Sequence, residues 1–417
     1  MDNPAAGSIF PGMTKRSDIL ITGGGLNGPA LALALSRAGF SVTVIDALPR
    51  PAREAGGFDG RSYALALASQ RLLANLGLWT DLADRAQPML EIKVSDGRPG
   101  EGPAPFFLHF DHAEIEEGPM GYMLEDRFLR RALLAAMEAA PGVTHLAEET
   151  VVSQEATEAG IAVTLASGTR LEGGLLVGCD GRSSGTARRA GIRRQGHGYG
   201  QTALVCAIAH EKPHHGIAHQ FFMPSGPLAI LPLPGNRSSI VWSERDAAAR
   251  EIQALDAAEY LAALRPRFGD FLGDIALEGD RFTYPLSLSL AERFVAPRVA
   301  LVGDAAHGLH PIAGQGLNAG LRDVAALAQV LGEARRRGEE PGALPVLERY
   351  EQWRRFDTAA LAMATDGFNA LFSNDSPILR IGRDLGMGLM SRLPRLRRGF
   401  IREAAGLTGE LPELMRG

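Results

Sequence analysis

"DILITGGGLNGPALALALSRAGFSVTVIDA", residues 18–47, decides the fold. Residues 18–24 form an apolar run suited to a buried strand, residues 27–40 carry a helical pattern that closes on Gly39, and "SVTVIDA" is a second apolar run. Strand, helix and strand over this span make a β-α-β unit, the opening of a parallel sheet. Between the first strand and the helix, Gly23, Gly25 and Gly28 fit G-x-G-x-x-G. In that context the first glycine permits a tight turn, the second lets the backbone approach a pyrophosphate, and the third allows close helix-sheet packing, while helix amides face the phosphates. Asp46 ends the second strand, where it can accept hydrogen bonds from an adenosine ribose and disfavour a 2′-phosphate. The unit predicts a bound dinucleotide, and it does not separate FAD from NAD, which share the ADP half.

A second stretch, "ALVGDAAHGLHPIAGQGLNAGLRD" at 300–323, narrows the choice. An apolar strand stops at Asp304, whose carboxylate suits the hydroxyls of a polyol lying across the strand ends. Gly314 and Gly316 then free the backbone to approach something flat, and the helix starting near Leu317 turns its positive end to the same place. Alone, this is an ordinary α/β crossover. Coupled to the N-terminal loop, it gives one site for ADP and a distant one for a polyol and an anionic ring, which describes FAD better than NAD.

The remaining 417-residue chain sets the frame. A formal charge of −5 gives no basic footprint for nucleic acid. Its two cysteines, Cys179 and Cys206, form neither a disulfide framework nor a zinc pattern, so a reducing, cytoplasmic setting is expected. The N-terminus lacks the order of a secretion signal, no apolar stretch reaches membrane-span length, and residues 1–16 read as a flexible tail. Between 202 and 243 the texture changes to short strand-like runs separated by Pro, Gly and Asn, which predicts an inserted, mostly antiparallel sheet. The expected fold class is therefore α/β: a Rossmann-like FAD-binding domain in pieces at 17–90, 122–197 and 285–345, a substrate-binding β-sheet domain at 91–121 and 198–284, and a helical C-terminal region at 346–417.

"GGGLNG", "GCDG" and "GDAAHGLHPIAGQGLNAGLRD" together resemble the motifs of the FAD-dependent aromatic hydroxylases, the class A flavoprotein monooxygenases. "LHPIAGQGLNAGLRD", "DGRSYALALASQRLLANLGLW" and "HQFFMPSGPLAILPL" are most similar to the polyprenylphenol hydroxylases of ubiquinone biosynthesis, and the resemblance spans about residues 17–360. It implies that Asp46 binds the adenosine ribose, that Arg61 and Arg127 approach the FAD phosphates or ribityl chain, and that Asp304 holds the ribitol. It further places Pro311 near the flavin ring and the backbone of Gly314, Gln315, Gly316 and Asn318 at its pyrimidine end. Without it, Arg61 and Arg127 read equally well as solvated charges. Asp180 belongs to a turn that the family uses near both the pyrophosphate and the nicotinamide cofactor. The family's arginine seven residues later falls here on Ala187, with Arg188 and Arg189 beyond it, so only Asp180 is carried over.

The implied reaction uses NADH or NADPH to reduce FAD and O2 to form a flavin C4a-hydroperoxide, which hydroxylates the ring of a polyprenylated phenol. The same chemistry on a small soluble aromatic such as a hydroxybenzoate is an alternative, and a flavin-carrying assembly subunit without turnover is the non-enzyme alternative. His307 and His310 are more ordinarily structural histidines; His310, beside Pro311, is the better catalytic candidate. "HQFFMPSGPLAILPLP", with Phe221, Phe222, Pro227 and Pro232, reads either as the pocket wall facing the flavin or as plain sheet core. His214, His215 and His219 lie on a turn and strand rather than one helix face, and no metal is expected. The C-terminal "LGMGLMSRLPRLRRGFI" spaces Leu385, Leu389, Leu393, Leu396 and Phe400 among arginines. That stripe suits peripheral contact with the inner face of an anionic membrane, contact with another ubiquinone-biosynthesis enzyme, a homodimer face, or packing within the chain.

Overall fold

The computed structural model describes residues 15–98, 100, 102–309, 314–372 and 393–417. The quoted β-α-β unit is built as read: β1 (Lys15–Thr22) and β2 (Val42–Ile45) are parallel, joined by the helix Asn27–Arg37. Ile19, Leu20, Ile21, Val42 and Val44 are buried because helices cover both faces of a parallel sheet, which is why both runs are uniformly apolar. Further along the chain come β3 (Ser62–Ala66), β4 (Gln87–Met89), β5 (Glu91–Arg98), β6 (Gly102–Asp111), β7 (Gly121–Glu125), β8 (Val143–Leu146), β9 (Val151–Thr157), β10 (Gly160–Leu165) and β11 (Arg170–Gly178). The second half adds β12 (Arg194–His210), β13 (Ile217–Met223), β14 (Gly226–Leu233), β15 (Arg237–Arg245), β16 (Ile275–Ala291), β17 (Val295–Ala296), β18 (Val299–Leu301) and β19 (His307–Gly308).

The nucleotide sheet runs β17-β18-β11-β1-β2-β8, with β10 and β9 folded back beside β11. β11 and β18 lie parallel to β1, so the chain leaves this sheet after β11 and returns to it at β18. Between those two visits β12 to β16 build a second sheet in the order β19-β16-β12-β15-β14-β13-β5-β6. It is antiparallel except where β13 meets β5. Its long outer strands reach into the nucleotide domain, β12 from Arg194 and β16 to Ala291, so both extend past the expected limits of 198 and 284. A small sheet, β3-β7-β4, fills the angle between the two large ones.

The inserted sheet has two unlike faces. Leu204, Cys206, Ile208, Phe221, Leu228, Ile230 and Trp242 point to the helices Asp246–Ala254 and Ala257–Phe268 and bury Tyr260, Leu264 and Phe268. Ala207, Ala218, Leu231 and Leu233 point the other way, onto Met89, Met123 and Ala64 of the small sheet. Helices Gln315–Arg336 and Leu344–Phe372 close the nucleotide domain, and the helix Pro394–Ala404 is followed by a short 3-10 turn at Glu413–Met415. No helix among the described residues is long and apolar enough to cross a membrane.

Candidate cofactor and substrate site

The first glycine loop divides into positions closed by protein and one left open. Gly23 has φ +104°, and a Cβ there would lie 2.3 Å from the Cys179 carbonyl oxygen. A Cβ on Gly28 would lie 1.9 Å from the Gly23 carbonyl oxygen, and one on Gly24 2.2 Å from Oδ2 of Asp46. At Gly25 nothing stands within 4 Å of that position. Three glycines are thus required by the protein's own packing, and the fourth borders a free groove at a helix N-terminus, where a pyrophosphate would sit.

The second loop packs against the first. Gly303 adopts φ +62°, and the side chain of Asn27, from the first loop, is wedged against it and Gly320: added Cβ atoms would lie 2.0 and 2.5 Å from Asn27 Nδ2. The two distant motifs are therefore in direct contact. Gly314 adopts φ +62° as the residue capping the helix Gln315–Arg336, and its added Cβ would touch that of Ala64 at 3.2 Å. Gly316, like Gly25, has nothing within 4 Å. Asn318 accepts from the Ala66 amide (2.9 Å) and donates to the Ala64 carbonyl (2.8 Å), fastening the start of this helix to β3. His310 and Pro311 lie outside the described residues.

Beneath the turn lies a buried ionic network that the sequence reading did not pick out. Asp323 is wholly buried; its Oδ2 accepts from His307 Nε2 (2.5 Å) and from the Gly303 amide (2.9 Å), and its Oδ1 from Arg354 Nε (2.8 Å). Burial pushes the Asp323 pKa up, but His307 and Arg354 outweigh it and hold the carboxyl below its ordinary value. The Asp304 carboxylate above them is half exposed and pairs with Arg182 at 3.2 Å. Arg182 also donates to the Leu309 carbonyl (3.3 Å), while Arg194 donates to that of Asp304 (2.9 Å). Arg182 directly follows the quoted "GCDG", but only folding shows that it bridges two of the three motifs.

The other predicted residues are placed as follows. Asp46 is buried and held by Arg53 in a two-point pair, both distances 2.7 Å. Arg61 pairs with Asp59 and with buried Asp126 (3.2 Å), which also accepts from Tyr63 (3.0 Å) and Arg130 (2.7 Å). Arg127 pairs with Glu125 at 2.7 Å, and Arg237 of the inserted sheet meets the same carboxylate at 2.9 Å. Both arginines are thus tied to acids where β7 runs into the helix Asp126–Ala139, Glu125 ending the strand and Asp126 opening the helix. Asp180 turns inward, accepting from Ser184 Oγ (2.5 Å) and from the amide and hydroxyl of Thr186 (both 2.9 Å). It steadies the start of the short helix Gly185–Arg189, whose N-cap is Ser184. Ala187, at the family's arginine position, is buried, and Arg189 reaches Gln154 (3.1 Å).

Two proposed pocket residues are corrected by the pleat. Phe221 stands opposite Leu228, on the face covered by helices, and Pro232 alternates onto that face with Leu228 and Ile230. Phe222 and Pro227 are opposite one another on the other face, where Phe222 packs with Leu108, Val94 and Phe110. A period of two allows only alternate residues of an "HQFF" strand to meet one ligand. His214 donates to the Leu233 carbonyl (2.8 Å), whereas the His219 ring lies 4.5 Å from that of Phe271, where burial lowers its pKa to about 4.

An FAD fits this arrangement on three observations: open backbone at Gly25 and Gly316, acids near both ends at Asp46 and Asp304, and the Asn27 contact joining the two loops. Residues 16–365 match the FAD binding domain family. The chain belongs to that family of flavoproteins, and it is an FAD-dependent monooxygenase of the aromatic hydroxylase type. It is 47% identical over 420 residues to ubiquinone hydroxylase UbiL of Rhodospirillum rubrum, covering 100% of this chain and 96% of that protein. Identity to the 3-demethoxyubiquinol 3-hydroxylase of Escherichia coli is 36% over 394 residues, covering 94% and 99% of the two chains. The fold is shared with p-nitrophenol 4-monooxygenase PnpA of Pseudomonas putida, at a TM-score of 0.78 and 19% identity, covering 95% of this chain and 100% of that one.

Proposed function

We propose that this protein uses NADH or NADPH and O2 to hydroxylate the aromatic ring of a polyprenylated phenol in ubiquinone biosynthesis. The observation that supports the reading is the contact of Asn27 with Gly303 and Gly320, which brings the first glycine loop against the second. Full-length similarity to ubiquinone hydroxylases supports the substrate class. Bound FAD supplies hydride acceptance and oxygen activation. The chain's own contribution is positioning and exclusion of water. Asp46 and Asp304 are proposed to take hydroxyls of the cofactor, and Gly25 to present backbone to its pyrophosphate. The backbone of Gly314, Gln315 and Gly316, at a helix N-terminus, is proposed to favour negative charge on the pyrimidine edge. Arg61 and Arg127 are proposed to turn toward the phosphates or ribityl chain when the groove fills. His310 is the proposed proton-handling residue at the phenol oxygen, and the Phe222 face the wall against the substrate.

The purified protein is expected to be yellow and to oxidise NAD(P)H faster when a short-chain prenylphenol is added, with labelled O2 appearing in the ring product. Stimulation by 4-hydroxybenzoate but not by the prenylphenol would favour a small soluble substrate. Absence of stimulation by either would leave the assembly-subunit reading.

The C-terminal stripe is divided by the structure. Arg397 pairs with Glu114 at 2.7 Å, Arg402 pairs with Glu117, and Ile401 is buried beside Ile115 and Met120. Leu393 and Phe400 stay exposed, and Phe400 adjoins Phe110 (6.5 Å), which packs in turn with Phe222, Leu108 and Val94. An apolar row thus runs from an exposed helix toward the substrate face, and we propose peripheral contact with an anionic membrane there. Vesicles containing anionic lipid should float the intact protein, and the double variant Leu393→Ser, Phe400→Ser at least several-fold less; equal flotation would discard the contact.

A further inference from the structure

We propose that Arg53 is a placeholder on the adenosine-ribose acceptor, and that the cofactor binds by displacing its guanidinium from Asp46. This rests on the flavin reading of the groove. A carboxylate offers about four lone-pair sites. Three of those on Asp46 hold hydrogen bonds, Oδ1 from Arg53 Nη2 (2.7 Å) and the Leu48 amide (3.3 Å) and Oδ2 from Arg53 Nε (2.7 Å), and the Gly24 amide faces the fourth. A ribose hydroxyl therefore has no acceptor on Asp46 until one donor leaves.

The two backbone donors are fixed. Gly24 is pressed so closely on Asp46 that an added Cβ would lie 2.2 Å from Oδ2, and Leu48 follows directly from β2. Arg53 is the donor able to move. It stands on the short helix Arg50–Glu54, which adds no residue to the core, and its side chain, 17% exposed, is held by the charged pair with Asp46, which a competing donor can replace. Its backbone is meanwhile tethered: Arg130, itself buried, donates to the carbonyls of Ala52 (2.9 Å) and Arg53 (2.6 Å). The arginine can swing about a fixed main chain and expose the acid without unravelling the helix.

The energetic logic follows from linkage. Cofactor-free, Asp46 would be an uncompensated buried carboxylate, a costly state, and burial indeed tends to raise its pKa before Arg53 pulls it below the ordinary value. Arg53 stabilises that form, and whatever it contributes there is subtracted from cofactor affinity. Arg53→Ala should therefore lower the melting temperature of the cofactor-free protein. It should also tighten FAD and ADP binding about tenfold, as expected for removing a competing charge-assisted pair.

Calorimetric titration of wild type, Arg53→Ala and the milder Arg53→Gln with FAD, ADP and FMN tests this. FMN lacks the adenosine ribose and should bind all forms equally. In an Asp46→Asn background the Arg53 effect should vanish. Weaker binding of FAD and ADP by both Arg53 variants would make Arg53 a cofactor ligand, and unchanged binding would mean that the pair persists in the complex; either overturns the placeholder. Failure of wild type to bind FAD at all would instead sink the flavin reading.

Discussion

Gly25→Val is expected to yield a folded protein that no longer takes up FAD. Gly25 is the loop position where an added Cβ meets nothing within 4 Å and where φ is not in the left-handed region, so a side chain costs the fold little. The same side chain would fill the space that a pyrophosphate needs. Losing two charge-assisted hydrogen bonds from loop amides, at about 1.5–3 kcal/mol each, should weaken FAD by at least about a hundredfold. Gly28→Ala is the control with the opposite signature. Its methyl would stand 1.9 Å from the Gly23 carbonyl oxygen, and forcing helix and strand apart should cost about 3 kcal/mol or more. Visible spectra after reconstitution, with thermal melts of the cofactor-free proteins, separate the two. A yellow Gly25→Val protein with wild-type FAD affinity would mean that the pyrophosphate does not pass this loop.

The second large effect falls on Asp323. Asp323→Ala strips partners from Arg354 and His307, both nearly or wholly buried, and from the Gly303 amide, leaving Arg354 with Asp357 at 3.0 Å. Removing one member of a buried ionic network costs about 3–5 kcal/mol, and urea or thermal unfolding should report a loss of that size. Cofactor retention should fall as well, because the Gly303–Asp304 turn loses its anchor to the helix Gln315–Arg336. The pH dependence has a definite sign. The folded pKa of Asp323 is depressed, so its stabilisation is fully present above the unfolded value of about 3.9 and is lost as pH falls through the lower folded value. Wild type should therefore lose stability below about pH 4 more steeply than Asp323→Ala. Equal stability of the two proteins at neutral pH would show the network to be dispensable.

Residues that the sequence made legible share one trait: their role is local. Gly23 must adopt φ +104°, and Gly314 must cap a helix in the left-handed region, and both demands arise within a few residues of chain. The apolar strands on either side announce themselves because a parallel sheet buries both faces. Asn27 stood inside the quoted motif without a reading, since its contacts are Gly303 and Gly320, some 280 positions on. Asp323 likewise stood at the end of a quoted stretch, but its partner Arg354 is on another helix. Asp180 shows the converse: a residue singled out from its motif, whose carboxylate accepts from Ser184 and Thr186 within the same turn.

What the sequence determined by itself was the pair of strand-turn-helix units, the flavin they call for, and the break between them filled by an antiparallel sheet, because each follows from hydrophobic period and backbone freedom over short spans. Tertiary structure alone decided which side of the pleat each aromatic occupies, sending Phe221 to the helices and Phe222 to the opposite face, beside Leu108 and Val94. It alone also paired Arg53 with Asp46, Arg182 with Asp304 and Arg354 with Asp323. Charges find their partners through space, and the energy that selects one pairing over another depends on burial, which exists only once the chain is folded.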